Sequence, residues 1–176
     1  MPLIVIPDRH EKHHLGENNP VEIIVHHSTT PDGRTLSWQA IRLDHMALVP
    51  WSNWLKTPMD DVGYHIGCER VNDYYELIVG RPSTWVGGHC PQDGMNNKSL
   101  GACVIGNFDL PPGPDEDREG QLIKLVRGWL VPNMYRYHIP LTQVRGHFEH
   151  ARDGRTCPGK LFPWDWFRTK IREEMS

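Results

Sequence analysis

The sequence predicts a single α/β domain in which helices flank a central mixed β-sheet. Its length of 176 residues fits one compact domain. Short apolar runs typical of strands intermix with amphipathic helical patterns, as expected for this class. No internal repeat, low-complexity segment or linker divides the chain. The formal net charge is only −3 and there is no basic run, so we expect no nucleic-acid partner.

Residues 1–20 form a predicted N-terminal arm, and residues 21–176 form the predicted domain. The arm is polar, carries several histidines in "DRHEKHHLGENNP" and ends at a proline. Those histidines could bind a metal, although a solvated polar arm is the interpretation that we prefer. The aliphatic run Leu3 to Ile6 is too short for a signal peptide or a membrane span, so we expect neither.

The first predicted strand is Val21 to Val25, and His26 and His27 follow it directly. Because side chains alternate along a strand, these two histidines must face opposite sides of the sheet. One of them can face a pocket while the other packs or reaches solvent. Turn residues come next, and then a predicted helix that Ser37 can cap.

The middle of the chain predicts a β-hairpin and a central strand. The runs "VGYHIGCER" and "YYELIVGR" have strand character and are joined at Val71 to Asp73. The run "SLGACVIGNFD", residues 99–109, is continuously apolar near its start. This pattern favours a central strand that is covered on both faces.

The last third of the chain predicts two helices with a short strand between them. Pro132 should kink or end the first helix. A strand from Gln143 to Gly146 follows, and the final helix has Pro163 near its first turn. The first helix is predicted from apolar residues at helical spacing, namely Leu122, Leu125, Val126, Trp129 and Leu130.

A histidine and a cysteine near the C-terminus suggest a metal site. His147 follows the short strand, and Cys157 lies ten residues later in an irregular loop. With one histidine of the earlier pair they form a plausible zinc set that leaves a fourth position for water. Imidazole and thiolate suit zinc better than magnesium or calcium. The alternative is a pair of strand-end histidines and a buried cysteine without a metal.

Four segments, in order along the chain, resemble one known family. They are "VEIIVHHSTT", "DVGYHI", "GGHCPQDGMNNKSLGACVIG" and "RGHFEHARDGRTCPG". Together they resemble the zinc-dependent N-acetylmuramoyl-L-alanine amidases of the phage lysozyme and peptidoglycan-recognition type, the type 2 amidases. The resemblance runs from about Val21 to Phe167. It implies a mixed sheet with helices on its faces and one zinc ion at the floor of a surface groove.

The resemblance also implies roles for individual residues. Tyr64 matches the tyrosine that faces the zinc in active members. A one-residue slip would exchange His26 and His27, so that choice stays open. The implied zinc ligands are His26, His147 and Cys157.

The sequence departs from the family pattern near the last ligand. Arg155 stands where relatives carry lysine or threonine, and the loop between the last two ligands is about two residues longer. Arginine stays charged and can stabilise an oxyanion, but it does not readily donate a proton. By the same resemblance, His89 and Asn96 match groove positions that meet substrate. Trp85 could pack against sugar or peptide, or it could be an ordinary core residue.

The implied activity is hydrolysis of the amide bond between N-acetylmuramic acid and L-alanine in peptidoglycan, without an organic cofactor. Together with the missing signal peptide, this predicts a phage or prophage endolysin. It would stay in the host cytoplasm until another protein's lesion gives it access to the wall. We expect a monomer with peptidoglycan as its partner and no membrane insertion. The alternatives are a cytosolic amidase that recycles soluble muropeptides and a protein that binds peptidoglycan without cleaving it.

Overall fold

The computed structural model describes residues 17–30, 38–47 and 59–176. Within these ranges, five strands form one sheet, in the order β3-β2-β4-β1-β5 once they are numbered along the chain. The predicted central strand does lie in the middle of this order. The strands are β1 (Glu22–His27), β2 (Ile66–Val71), β3 (Tyr74–Val79), β4 (Ser99–Val104) and β5 (Val144–Gly146).

The sheet is mixed, as predicted. Strand β1 pairs in parallel with both β4 and β5, and β2 pairs in parallel with β4. Strands β2 and β3 form the expected antiparallel hairpin. Its turn includes Asn72 at φ 58°, a left-handed conformation that asparagine tolerates better than most residues.

In the part of the chain that the structure describes, four α-helices flank the sheet. Asp117 caps the second helix, because its carboxylate accepts the backbone N–H of Gly120 at 2.8 Å. Pro132 does not end the helical run. A π-helical turn over residues 126–130 precedes it, so the proline falls in the first turn of a new helix, where its missing N–H costs little. The helices are α1 (Trp38–Met46), α2 (Arg118–Leu125), α3 (Val131–Tyr137) and α4 (Trp164–Glu174).

Alternation along β1 assigns its side chains to two separate cores. Ile23 and Val25 belong to the main core, which also contains Phe167 and Ile171 of α4 and buried residues of α2 and α3. A smaller cluster around Trp38, Tyr64 and Cys103 lies with α1. On the other face of β1, Ile24 packs with Cys90 and Met95, so consecutive residues of the strand reach different environments.

The described part of the predicted arm packs on the domain. Asn18 is only 6% exposed, and its side-chain amide donates to the carbonyl of Ser99 at 3.0 Å. The histidines of the arm and Ser37 lie outside the described residues. Among the described residues there is no helix with the length and hydropathy needed to cross a membrane.

Candidate functional site

Three predicted ligand residues meet at one edge of the sheet. Strands β1 and β5 are parallel neighbours, so their carboxyl ends lie at the same edge. His26 is near the end of β1, His147 directly follows β5, and Cys157 comes from the loop beyond. Their ligand atoms all lie within 4.8 Å of one another. The His26 Nδ1 to Cys157 Sγ distance is 3.6 Å.

These three residues line a cavity of about 710 Å³. Asp44 and His45 of α1 also line it, as do Tyr64 and the loop over residues 153–157. The cavity therefore brings a nitrogen and sulfur donor set together with a phenol and a guanidinium. This combination can hold a soft divalent metal and stabilise negative charge beside it.

The protonation states of the two histidines suit a cation. Burial holds the pKa of His26 well below its usual value, and the neighbouring His147 and His89 lower it further. Burial also lowers the pKa of His147 to about 4, so both imidazoles are neutral at pH 7. Burial raises the pKa of the Cys157 thiol to about 12 because the thiolate is desolvated there. A cation between these residues would reverse that effect by stabilising the thiolate.

His27 faces the other side of β1 and has a different environment. Its Nδ1 accepts the backbone N–H of Phe108 at 3.1 Å, and its Nε2 lies 3.9 Å from Asp109 Oδ2. Of the two adjacent histidines, His26 is thus the one that the structure groups with His147 and Cys157. His27 holds the turn that follows β4.

Asp109 anchors the loop that carries Cys157, a role that sequence reasoning missed. Its Oδ1 accepts the hydroxyl of Thr156 at 2.8 Å and the backbone N–H of Lys160 at 2.9 Å. The loop is therefore fixed on both sides of the cysteine. The sequence feature that could have identified this role is the position of the aspartate, shortly after the central strand and at the same sheet edge as the ligands.

Tyr64 lies beside the ligands, with its ring centroid 5.1 Å from that of His26. Its ring also packs near His45 and Trp38, at 5.5 and 6.2 Å between centroids. Burial raises the pKa of Tyr64 well above 10, so the phenol keeps its proton near neutral pH. It can donate a hydrogen bond in the cavity, but it cannot act as a base there.

Arg155 is held by Asp153, another residue that sequence reasoning did not single out. The Arg155 Nε lies 2.8 and 3.0 Å from the two Asp153 carboxylate oxygens, and Nη2 also donates to Oδ2. The hydrogen bonds that the guanidinium donates to Asp153 raise the pKa of Arg155 further, so it stays positive. Because the pair is partly exposed, it adds little to the stability of the fold. Its main effect is to orient the guanidinium.

The three residues predicted to meet substrate occupy different positions. His89 lines the cavity but is only 5% exposed, and its Nδ1 lies 3.0 Å from Nε2 of His26. It is better placed to support His26 than to contact substrate. Asn96 uses its Oδ1 to accept two backbone N–H groups, and Trp85 is half-buried beside Glu17. The side chains of Asn96 and Trp85 lie outside the cavity lining.

Three buried histidines outside the ligand set share one arrangement, and it makes the fold sensitive to acid. In His27, His45 and His65, Nδ1 accepts a backbone N–H at 2.9 to 3.1 Å. Burial lowers the pKa of each to about 4. Protonation at Nδ1 would break these hydrogen bonds as well as place a charge in the core.

We therefore expect the zinc-free protein to lose stability as the pH falls below about 6.5. Between that value and about pH 4 the unfolded chain binds protons at these histidines and the folded chain does not. The free energy of unfolding should fall by up to about 1.4 kcal/mol per pH unit for each of them. Urea unfolding at pH 7.5, 6.5 and 5.5, with a chelator present, measures this. A free energy that does not change over this range would contradict the prediction.

The chain resembles known proteins in both sequence and fold. The sequence pattern of the N-acetylmuramoyl-L-alanine amidase family matches residues 17–160. The endolysin of Escherichia phage T7 is 29% identical over 136 residues, which is 77% of this chain and 78% of that relative.

Solved structures show the same similarity. The N-acetylmuramoyl-L-alanine amidase LysC from Clostridium intestinale superposes with a TM-score of 0.63 at 27% identity, covering 88% of this chain and 87% of that one. Drosophila PGRP-LB shares the fold at 22% identity, with a TM-score of 0.58 over 85% of this chain and 81% of its own. Since the family pattern spans most of the sequence, this chain belongs to the N-acetylmuramoyl-L-alanine amidase family.

Proposed function

We propose that this protein is a zinc-dependent amidase that hydrolyses the bond between N-acetylmuramic acid and L-alanine in bacterial peptidoglycan. The observation that carries the proposal is the meeting of His26, His147 and Cys157 within 4.8 Å, at a cavity that Tyr64 also lines. Two neutral imidazoles and a thiol that can ionise are a donor set that suits zinc. The family to which the chain belongs supports the choice of bond.

In this proposal, His26, His147 and Cys157 bind the ion and leave coordination space for substrate and water. When bound, zinc would supply a Lewis acid for the amide carbonyl and would activate water near neutral pH. The burial of the two histidines keeps their lone pairs available at that pH. The thiolate of Cys157 would offset part of the charge of the ion.

Tyr64 and Arg155 act on the substrate. The Tyr64 phenol stays protonated, so it can donate a hydrogen bond to the amide oxygen as negative charge develops there. Arg155 stays positive beside the same cavity and stabilises that charge electrostatically. Asp153 engages its Nε and Nη2 and thereby sets the direction of the guanidinium. Asn96 and Trp85 would contact substrate beyond the cavity. A variant at Trp85 would reveal such a contact as a higher KM.

We further propose that the protein acts as a phage or prophage endolysin, as a monomer that meets peptidoglycan after release from the host cytoplasm. Its support is the similarity to the endolysins of the Escherichia phage T7 and the Enterobacteria phage T3, each over 77% of this chain. A muropeptide-recycling amidase would instead act on soluble fragments. Intact sacculi and soluble anhydro-muropeptides, compared as substrates, separate these two functions.

The experiment that tests the proposal is mass spectrometry of the products from purified sacculi incubated with zinc-loaded protein. We expect peptides with a free L-alanine amino terminus and glycans with intact lactyl groups. Sacculi that bind the protein but stay uncleaved would favour the recognition alternative. Cleaved sugar linkages would show that the protein acts on a different bond. Protein kept in a chelator is the control, and it should release no peptide.

A further inference from the structure

One short segment, residues 87–97, contacts both histidines of the proposed zinc set. It lies between the β2–β3 hairpin and β4, and it packs against Ile24 of β1 through Cys90 and Met95. Ile24 and His26 share one face of β1, because side chains alternate along the strand. The 87–97 segment is therefore next to the face of the sheet that carries the first ligand.

His26 uses its two ring nitrogens for different neighbours. Nδ1 lies 3.6 Å from Cys157 Sγ and so faces the other ligands. Nε2 lies 3.0 Å from Nδ1 of His89. A neutral imidazole has one N–H and one lone pair. If Nε2 carries the proton and donates it to His89, the lone pair on Nδ1 faces the ion.

Two glycines fix the ring of His89 in this position. A Cβ atom added at Gly87 or at Gly101 would lie 2.5 Å from the His89 ring, which is too close for either backbone to carry a side chain. The ring is thus enclosed between the segment and β4. Its hydrogen-bonding nitrogen has little freedom to move away from His26.

His147 has a matching contact with the same segment. Its Nε2 lies 3.4 Å from Oε1 of Gln92. An amide oxygen only accepts hydrogen bonds, so the tautomer that uses this contact carries its proton on Nε2 and its lone pair on Nδ1. Glu149 and His150, which lie nearer in sequence, are engaged elsewhere, with the backbone N–H of Gly146 and with Glu22.

The 87–97 segment is itself braced. Asn96 Oδ1 accepts the backbone N–H of His89 at 2.9 Å and that of Cys90 at 2.8 Å. The backbone N–H of Gly87 donates to the carbonyl of Asn96 at 2.9 Å. These bonds close the segment on itself and so restrict the movement of its backbone.

We propose that the 87–97 segment orients both zinc-binding histidines at once, with His89 acting on His26 and Gln92 acting on His147. The inference rests on the proposed zinc function. Acceptors at the outer nitrogen fix the tautomer and direction of a metal-binding imidazole and increase its basicity. His89 and Gln92 are positioning residues, since each acts through the histidine that it contacts.

The test compares zinc affinity, measured by competition with a chromophoric chelator, across matched variants. Gln92→Leu keeps the size of the side chain but removes the acceptor, so we expect zinc to bind about 10- to 100-fold more weakly. Gln92→Glu retains an acceptor and should bind zinc at least as tightly as the wild type does. Asn97→Leu makes the same kind of change at an exposed position of the segment and should not alter zinc affinity. His89→Leu should weaken binding as Gln92→Leu does, whereas His89→Asn should restore part of it.

A second readout needs no metal. Long-range ¹H–¹⁵N spectra of the zinc-free protein should show Nε2–H tautomers at His26 and His147, and Gln92→Leu should disturb His147 alone. Unchanged zinc affinity and an unchanged His147 tautomer in Gln92→Leu would overturn the inference. A wild-type protein that binds no zinc would overturn the proposed function. The tautomer spectra would then still decide whether the segment orients the two histidines.

Discussion

Replacing Cys157 with alanine is expected to remove both zinc retention and peptidoglycan hydrolysis. The thiolate is the only anionic donor of the proposed set, so the variant would leave two neutral imidazoles for the ion. Loss of a residue that only orients a ligand costs about 10- to 100-fold in metal affinity, and loss of the ligand itself should cost more. Metal analysis after gel filtration and peptide release from sacculi measure the two effects.

The same variant should lose the stabilisation that zinc gives by mass action. Free zinc at about 1,000 times Kd would stabilise the wild type by about 4 kcal/mol, whereas Cys157→Ala should show almost no response. Cys68→Ala is the matched control, because it removes a buried thiol from β2, outside the cavity lining. It should lower the Tm but leave the zinc response intact. A Cys157→Ala protein that retains zinc and cleaves sacculi would exclude this residue as a ligand.

Strand geometry alone predicts part of the arrangement of the candidate site, because it sends the side chains of adjacent residues to opposite faces of the sheet. Alternation along β1 requires His26 and His27 to diverge, and the structure places one beside Cys157 and the other beside Asp109. The continuously apolar run in β4 indicated a central strand, which the sheet order confirms. Which of the two histidines joins His147 and Cys157 could not be derived from alternation, since a one-residue shift satisfies the same pattern.

Contacts between distant side chains could not be predicted in this way. Gln92 and His147 are 55 residues apart, and no periodicity relates an amide in a short 3₁₀ segment to a histidine after β5. The continuation of the helical run through Pro132 could not be predicted either, because a π-helical turn does not change the spacing of apolar residues in a recognisable way. Such features depend on tertiary geometry, whereas strand faces depend on local alternation.

Replacing Tyr64 with phenylalanine is expected to keep zinc binding and to lower kcat about 10²- to 10³-fold. The phenyl ring retains the packing against His26 and Trp38, so only the hydroxyl is lost. Loss of one hydrogen-bond donor to a developing oxyanion has an effect of this size, and it should reduce kcat more than it raises KM. Steady-state kinetics on a soluble muramoyl peptide, with zinc content measured in parallel, test this.

Tyr75→Phe is the control, since the Tyr75 hydroxyl accepts the backbone N–H of Asp117 and Tyr75 does not line the cavity. It should leave kcat unchanged. The pH dependence separates two roles for Tyr64. Burial raises the pKa of Tyr64 well above 10, so a hydrogen-bond donor gives the same loss in Tyr64→Phe throughout the neutral range. A loss that grows as the pH rises from 7 to 9 would instead indicate that the phenolate takes part, and full activity in Tyr64→Phe would remove Tyr64 from the mechanism.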